Sequence, residues 1–430
     1  MTTQDFTCIP LAGWEATSLR LAVVLRFELV ARVLRTCSLC IPSFQFGHYN
    51  HSMLVSFLLL GIMIVLSILW EAFEVMLLPL PVKRRFRLVR LFFHWTWKSW
   101  SGVASTVPLG QRAKFIGVYG PFSLVLLICF WVGGLIAGFA LIHQSFSRDH
   151  TLSSLLHGLY FSGITFFTVG YGDLVPRTPG MKAAAVIEAG CGLGFLALVI
   201  GYLPVLYQLF ARREAHVMLL DERAGSPPTA TTLLKRHADG RSLESLQGLL
   251  REWELWAAEL LESHMSYPML VYYRSQYPNL SWLAALTAIM DTCSLIMVGF
   301  EDVGTFQARM SFSVARLAII DLSQVLGISQ VAIGKTRLPS EEFQRVKASL
   351  EESGLRLVEP DAELMLAKFR ATYEPFLGGL GEYLMIDLPG WTASDDQLDN
   401  WERNMRGEAA KRLVESVSPE PNEESDGITR

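Results

Sequence analysis

The most regular feature of the sequence is a series of long apolar runs in its first half. The first run covers residues 53–80, and Glu71 and Glu74 are its only charges. Two further runs, over residues 117–142 and 181–210, also exceed the roughly 20 apolar residues that cross the hydrocarbon core of a bilayer. The pattern predicts three membrane-spanning helices, which place the two ends of the chain on opposite sides of the membrane.

A shorter apolar stretch lies between the second and third runs. Residues 153–167 are patterned as a short helix, and the glycine-containing hexapeptide TVGYGD follows at once over residues 168–173. Non-helical backbone at membrane depth is tolerated only where it lines a cavity or is buried in protein. This hexapeptide is therefore the candidate functional segment.

Basic residues between the first two spans set the predicted topology. The linker over residues 81–116 carries eight Lys and Arg residues and no acid, which marks it as cytoplasmic. Everything after residue 210 is then cytoplasmic as well. Arg84, Arg87 and Arg90 recur every third residue and imitate a voltage sensor, but only one predicted span precedes them. A basic, aromatic helix lying on the inner membrane surface is the favoured interpretation.

The first 52 residues fit this topology poorly. They would lie outside the cell, yet Arg20, Arg26, Arg32 and Arg35 interrupt their apolar pattern, and no signal-peptide layout is present. One hypothesis is that Met53 is the physiological start; an N-terminal peptide from before Met53, found by mass analysis of native protein, would refute it.

Composition and charge agree with a membrane module joined to a different domain. Hydrophobic residues make up 51% of the chain, charged residues only 18%, and the mean hydropathy is +0.32. Residues 1–210 hold 15 basic and 8 acidic side chains, whereas residues 211–430 hold 22 basic and 33 acidic ones. These figures disfavour disorder and a nucleic-acid-binding fold, and favour a basic membrane module with an acidic soluble domain.

The acidic half is patterned as helices. Residues 211–415 are expected to form a helical cytoplasmic domain, and residues 416–430 a disordered tail. The run 282–298 is apolar enough for a fourth span, but Asp291 at its centre favours a buried helix of a soluble domain. We find neither a nucleotide-binding pattern nor a catalytic constellation in this half, so its regulatory ligand or protein partner is unknown from the sequence.

The hexapeptide Thr168-Val-Gly-Tyr-Gly-Asp173 resembles the selectivity filter of the potassium channel family, and it stands where that family has it, after a short helix and between two spans. The resemblance covers about residues 115–210. It implies a homotetramer in the lipid bilayer, K⁺ as the permeant ligand and no cofactor. The implied filter residues that bind the ion are Thr168, Val169, Gly170, Tyr171 and Gly172. The K⁺ ligands among them are the carbonyls of Thr168, Val169, Gly170 and Tyr171, together with the Thr168 hydroxyl.

Glycines at alternate filter positions have a physical reason. Successive carbonyls of an ordinary strand point to opposite sides, and glycines that tolerate positive φ can turn them to one side. Gly170 and Gly172 are placed for that purpose. The resemblance further puts Asp173 at the outer mouth and lets Tyr160 and Phe161 brace the filter.

Other residues of the pore segment are candidates for support or gating. Glu188, an acid within the third span, either lines the cavity or braces the pore helix from behind the filter, and bracing is slightly favoured. Weak points of the third span could act as a gate or hinge, although close helix packing is an equal alternative for each glycine. These are Gly190, Gly192, Gly194, Gly201 and Pro204.

The sequence departs from many family members at two positions. Ile164 replaces a polar or acidic residue four before the first filter threonine, and Phe167 is bulky where Thr or Ser is frequent.

Taken together, the sequence features predict an all-α membrane protein with a two-helix-plus-pore-loop module, an extra N-terminal span and a helical C-terminal domain. The expected function is a potassium channel in the cell membrane and not an enzyme. The alternative is a membrane-anchored helical interaction protein with a non-conducting pore.

Overall fold

A computed structural model describes residues 51–77, 88–146, 152–239, 243–277, 280–300, 304–328 and 336–393. The chain divides into two compact units, Met1–Val55 and Ser56–Arg430, and nearly all of the first unit lies outside the described residues. The expectations for residues 1–50, for Lys83 to Arg87 and for the tail 416–430 also fall outside them.

Three of the described helices are long and apolar enough to cross a membrane. They are α1 (His51–Met76), α3 (Leu109–Ser145) and α5 (Pro179–Ala224). Val65 and Ile68 of α1 lie against the glycine-rich face of α3. A shorter helix, α2 (Leu88–Thr106), lies between α1 and α3 in the chain.

The long helices extend beyond the predicted spans. Helix α3 begins at Leu109 instead of residue 117, and α5 continues to Ala224 instead of ending at residue 210. Helix α5 has 46 residues, which at 1.5 Å per residue is about twice the length that the hydrocarbon core needs. Apolar content indicates only the part of a helix that faces lipid. Helix α5 continues beyond that part because residues 211–224 are rich in strong helix formers.

Helix α2 packs along the first part of α3 in the opposite direction. The side chain of Arg112 in α3 donates to the carbonyl of Ser105 in α2, and the ring of Trp100 stacks on Phe115 at 4.5 Å. Further along, Trp97 meets Tyr119 at 4.8 Å. One face of α2 is thus buried against protein, a contact that the interpretation of a helix lying on the inner membrane surface did not include.

The C-terminal domain is helical throughout its described residues, apart from turns and one isolated bridge between Phe300 and Leu357. A 3₁₀ helix (Pro268–Tyr272) connects its first two helices to the rest. The domain contains α6 (Ala230–Asp239), α7 (Leu243–Ser266), α8 (Trp282–Val298), α9 (Phe306–Leu326), α10 (Ser340–Glu352), α11 (Ala362–Ala371) and α12 (Glu374–Leu384).

Helix α8 is the centre of this domain. All of its residues except Met297 are buried, although it has only 17 residues. Its Asp291 accepts hydrogen bonds from Arg337 at 2.6 Å and from the Tyr373 hydroxyl at 2.6 Å. A buried carboxylate that is paired and hydrogen-bonded fits a soluble core. The alternative of a fourth membrane span at residues 282–298 is not favoured by this environment.

Candidate functional site

A short helix ends directly in the candidate filter segment. Helix α4 (Leu152–Phe166) precedes Thr168–Asp173, which is not helical. The carbonyl of Ile164 accepts hydrogen bonds from the amides of Val169 at 2.8 Å and Gly170 at 3.4 Å. These bonds satisfy backbone groups at the helix end and tie the start of the segment to it. The residue at 164 therefore acts through its backbone, which makes its apolar side chain compatible with this contact.

Alternate residues of the segment have left-handed backbone. The φ angle is +55° at Thr168, +60° at Gly170 and +80° at Gly172. This departure from extended backbone at every second residue is what turning successive carbonyls toward one side requires. Glycine explains two of the three positions. Thr168 is the exception, because a β-branched residue at positive φ is strained, and strain of this kind concentrates at functional sites.

The far end of the segment is held by a tyrosine of α4. The hydroxyl of Tyr160 donates to Oδ2 of Asp173 at 2.9 Å. Phe161, which was expected to act with Tyr160, instead turns its ring edge-on to His143 of α3 at 4.9 Å. The two neighbouring aromatics thus have separate contacts, one with the filter segment and one with the helix behind it.

Glu188 lies where three helices meet behind the segment, and its side chain is fully buried. Its Oε2 is 2.9 Å from Nε2 of His143 in α3, and its Oε1 contacts the hydroxyl of Ser162 in α4. This position supports bracing of the pore helix rather than lining of a cavity. The sequence signalled Glu188 through its charge, but His143 and Ser162 were missed because they lie 45 and 26 residues away.

The gate candidates on α5 divide into two kinds. A Cβ atom added at Gly190, Gly194 or Gly201 would meet nothing within 4 Å, whereas one at Gly192 would lie 2.0 Å from the carbonyl oxygen of Phe166. Gly192 therefore allows close packing of α5 on α4. Pro204 lies inside the continuous helix. A hinge at these positions stays a prediction.

The end of α5 is connected to the C-terminal domain by a buried arginine that sequence reasoning missed. Arg213 donates to the carbonyls of Leu270 at 2.9 Å and Tyr273 at 2.7 Å, and it lies 3.1 Å from Nε2 of His264. Burial, followed by the neighbouring charge of Arg213, lowers the pKa of His264 well below its ordinary value. The only sequence signal was a pair of arginines at residues 212 and 213.

An aromatic cluster forms a second connection, between the C-terminal domain and the helices α2 and α3. Nε1 of Trp97 in α2 donates to the carbonyl of Tyr383 in α12 at 2.9 Å. The Trp97 ring lies 4.8 Å from Tyr119 of α3 and 5.2 Å from Tyr272, whose hydroxyl is 2.9 Å from that of Tyr383. The C-terminal domain therefore contacts both α2 and α3.

Comparison with known proteins agrees with this architecture. Residues 123–208, which contain most of α3, all of α4, the filter segment and much of α5, match a family model described as "Ion channel". The match covers 86 of the 430 residues, and it shows that this segment is similar to ion channels. No solved structure matches the chain.

Curated relatives narrow the class. Two-pore potassium channel 4 of Arabidopsis thaliana is 24% identical over 254 residues, 57% of this chain and 83% of that protein. Two-pore potassium channel 5 of the same plant is 42% identical over 60 residues, 13% of this chain and 15% of that protein. The chain is thus similar, in part of its length, to potassium channels.

A further relative is described without a function. An uncharacterized membrane protein of Bacillus subtilis, YdjJ, is 24% identical over 224 residues, which are 50% of this chain. The aligned region spans 62% of the length of YdjJ. The aligned region is therefore longer than the 86 residues that match the ion channel model.

Proposed function

We propose that this chain is a subunit of a potassium-selective channel that conducts K⁺ passively across the cell membrane. The observation that carries the proposal is the segment after α4, which has positive φ at alternate residues and is tied at both ends, to Ile164 and to Tyr160. Oxygen atoms of such a segment replace the hydration shell of a potassium ion. We assign the ion ligands to the carbonyls of Thr168, Val169, Gly170 and Tyr171 and to the Thr168 hydroxyl.

Several copies of the chain are needed for a closed ring of carbonyls, because one chain supplies one filter segment. Val169 and Tyr171 are 47% and 74% exposed. Apolar side chains beside non-helical backbone at membrane depth need protein neighbours. A homotetramer around the pore axis would cover them, and it would direct the C-terminal ends of four α4 helices, with their partial negative charge, toward a waiting cation.

The C-terminal domain is assigned to the cytoplasm because the basic linker before α3 favours that side. Its contacts at Arg213 and at Trp97 support a regulatory role, since they join the domain to α5 and to α2. A ligand or protein partner that changes the domain could thereby act on the inner end of the pore.

Flux through purified protein in liposomes tests the proposal. We expect a potassium gradient to drive flux, a sodium gradient to drive much less, and Gly170→Asp to abolish flux by placing a side chain at a left-handed residue of the filter. Gly248→Asp is the matched control, because this glycine of α7 is exposed and has open space around it. Equal flux in wild type and Gly170→Asp would favour the alternative, a helical interaction protein with a non-conducting pore.

A further inference from the structure

Three polar side chains from three different helices form a buried chain of contacts behind the filter segment. His143 of α3 is 2% exposed, and Ser162 of α4 and Glu188 of α5 are not exposed at all. Glu188 lies between the other two, with one carboxyl oxygen directed at each. The Ser162 hydroxyl also reaches the carbonyl of Ile136 in α3, at 2.8 Å. The hydrogen-bonding geometry of these three side chains indicates which of their atoms carry protons.

A hydroxyl has one proton to donate, and Ser162 contacts two oxygen atoms, those of Ile136 and Glu188. A backbone carbonyl can only accept, and an ionised carboxylate can only accept. If Glu188 were ionised, one of the two oxygen atoms would face the serine oxygen without a proton between them. A proton on Oε1 of Glu188 removes this conflict, because the acid then donates to Ser162 and Ser162 donates to Ile136.

The position of the proton on His143 follows from the surroundings of its two ring nitrogens. Its Nε2 is 2.9 Å from Oε2 of Glu188, and its Nδ1 is buried without a hydrogen-bond partner among the described residues. An N–H at Nδ1 would be a buried donor without an acceptor, which is costly. One proton on Nε2, donated to Glu188, avoids that cost. An ion pair of imidazolium and carboxylate would contain the same number of protons but would leave Nδ1–H unsatisfied.

We propose that Glu188 is a neutral, protonated acid that positions the pore helix by donating a hydrogen bond to Ser162. The hydrogen bonds then run in one direction, from His143 to Glu188, from Glu188 to Ser162 and from Ser162 to Ile136. No net charge is buried, which matters because an uncompensated charge within a membrane protein is expensive. Glu188 is thus a positioning residue that joins α3, α4 and α5. Its effect on conduction rests on the proposed function, but its protonation does not.

Infrared spectroscopy of the full-length protein in membranes tests the protonation directly. The C=O stretch of a protonated carboxyl group is separate from that of a carboxylate. We expect a protonated-carboxyl band that is lost in Glu188→Gln and retained in Glu222→Gln, a control that removes an exposed acid from the same helix. Absence of any band assignable to Glu188 would overturn the proposal, whether or not the protein conducts.

Ion flux tests the positioning role. A glutamine at 188 can accept from His143 through its oxygen and donate to Ser162 through its amide, so we expect Glu188→Gln to keep the wild-type ratio of potassium to sodium flux. Glu188→Ala removes both contacts and should lower the ratio by about tenfold, as expected for loss of a buried hydrogen bond. Size-exclusion chromatography identifies variants that fail to assemble. A Gln variant as impaired as the Ala variant, yet assembled, would contradict the proposed donor role.

Discussion

The carbonyl oxygen of Phe166 lies only 2.0 Å from the position that a Cβ atom at residue 192 would take, so this residue must be glycine for the backbones to approach so closely. Phe166 is the last residue of α4, and it contacts Gly192 of α5. One turn earlier on both helices, Ser162 of α4 contacts the carboxyl group of Glu188. The two helices therefore touch at two successive turns, once through a polar contact and once through backbone. This double contact sets the position from which the filter segment begins.

Gly192→Ala is expected to impair ion flux strongly. The added methyl would force the end of α4 away from α5, and overpacking of this kind costs roughly 1–3 kcal/mol or more when backbone must move. Flux of potassium into liposomes measures the effect. Gly133→Ala in α3 is the matched control, because a Cβ atom there meets nothing within 4 Å and the residue is not a gate candidate. Equal flux from both alanine variants would show that the contact at Phe166 does not hold the filter.

Tyr160→Phe is expected to make the filter less selective. The substitution keeps the ring and removes only the hydroxyl that donates to Asp173, so the far end of the segment loses its attachment to α4. We expect a lower ratio of potassium to sodium permeability in single-channel recordings, or faster decay of current. Tyr277→Phe, at an exposed tyrosine of the C-terminal domain, is the control. Unchanged permeability and decay would mean that Asp173 is held by other contacts.

Local signals in the sequence predicted the local part of the site. The hexapeptide, the short helix before it and the apolar spans are each contiguous, so their physical reasons can be read from neighbouring residues. His143 and Ser162 could not be found in this way, because their role arises only when α3, α4 and α5 pack together. The helix ends were also missed, since hydropathy reports contact with lipid, and α5 continues to Ala224 on helix propensity and packing.

In the C-terminal domain, too, the sequence predicted a helix but not the distant residues that pair with it. Asp291 indicated a buried helix, and the environment of α8 agrees with that interpretation. Its partner Arg337 lies 46 residues later, and Arg370 and Glu374 join the same network from α11 and α12. Periodicity predicts that a helix exists, but pairing between distant charges depends on the packing of helices, which the pattern does not contain.

Arg213→Lys is expected to loosen the connection between α5 and the C-terminal domain. Lysine presents a single ammonium group and cannot reach the two carbonyls and the imidazole that the planar guanidinium contacts. Buried carbonyls left without a donor cost about 1–3 kcal/mol each. Limited proteolysis of the full-length protein should show faster cleavage near residues 267–277. Arg212→Lys is the control, because its bridge to Glu259 is exposed.

Asp291→Ala is expected to destabilise the C-terminal domain severely. Removing the carboxylate leaves the guanidinium of Arg337 and the hydroxyl of Tyr373 without their shared partner, and breaking a buried ion pair costs roughly 3–5 kcal/mol. A large fall in the thermal unfolding temperature of the full-length protein is the expected result. Glu351→Ala removes an exposed ion pair with Lys347 and should change little. A similar small change for both variants would contradict the assigned importance of the buried network.

Acidification is expected to destabilise the C-terminal domain through His264. Its pKa in the folded protein is well below the ordinary 6.5 because the ring is buried and next to Arg213, so the unfolded chain binds a proton that the folded chain does not. Stability is therefore full above about pH 6.5 and falls as pH decreases below it, by up to about 1.4 kcal/mol per pH unit. In wild type, the unfolding temperature should decrease between pH 7.5 and 5.5. His264→Gln, which cannot take up a proton, should have a flatter profile, and a variant that keeps the wild-type slope would assign the pH dependence to other groups.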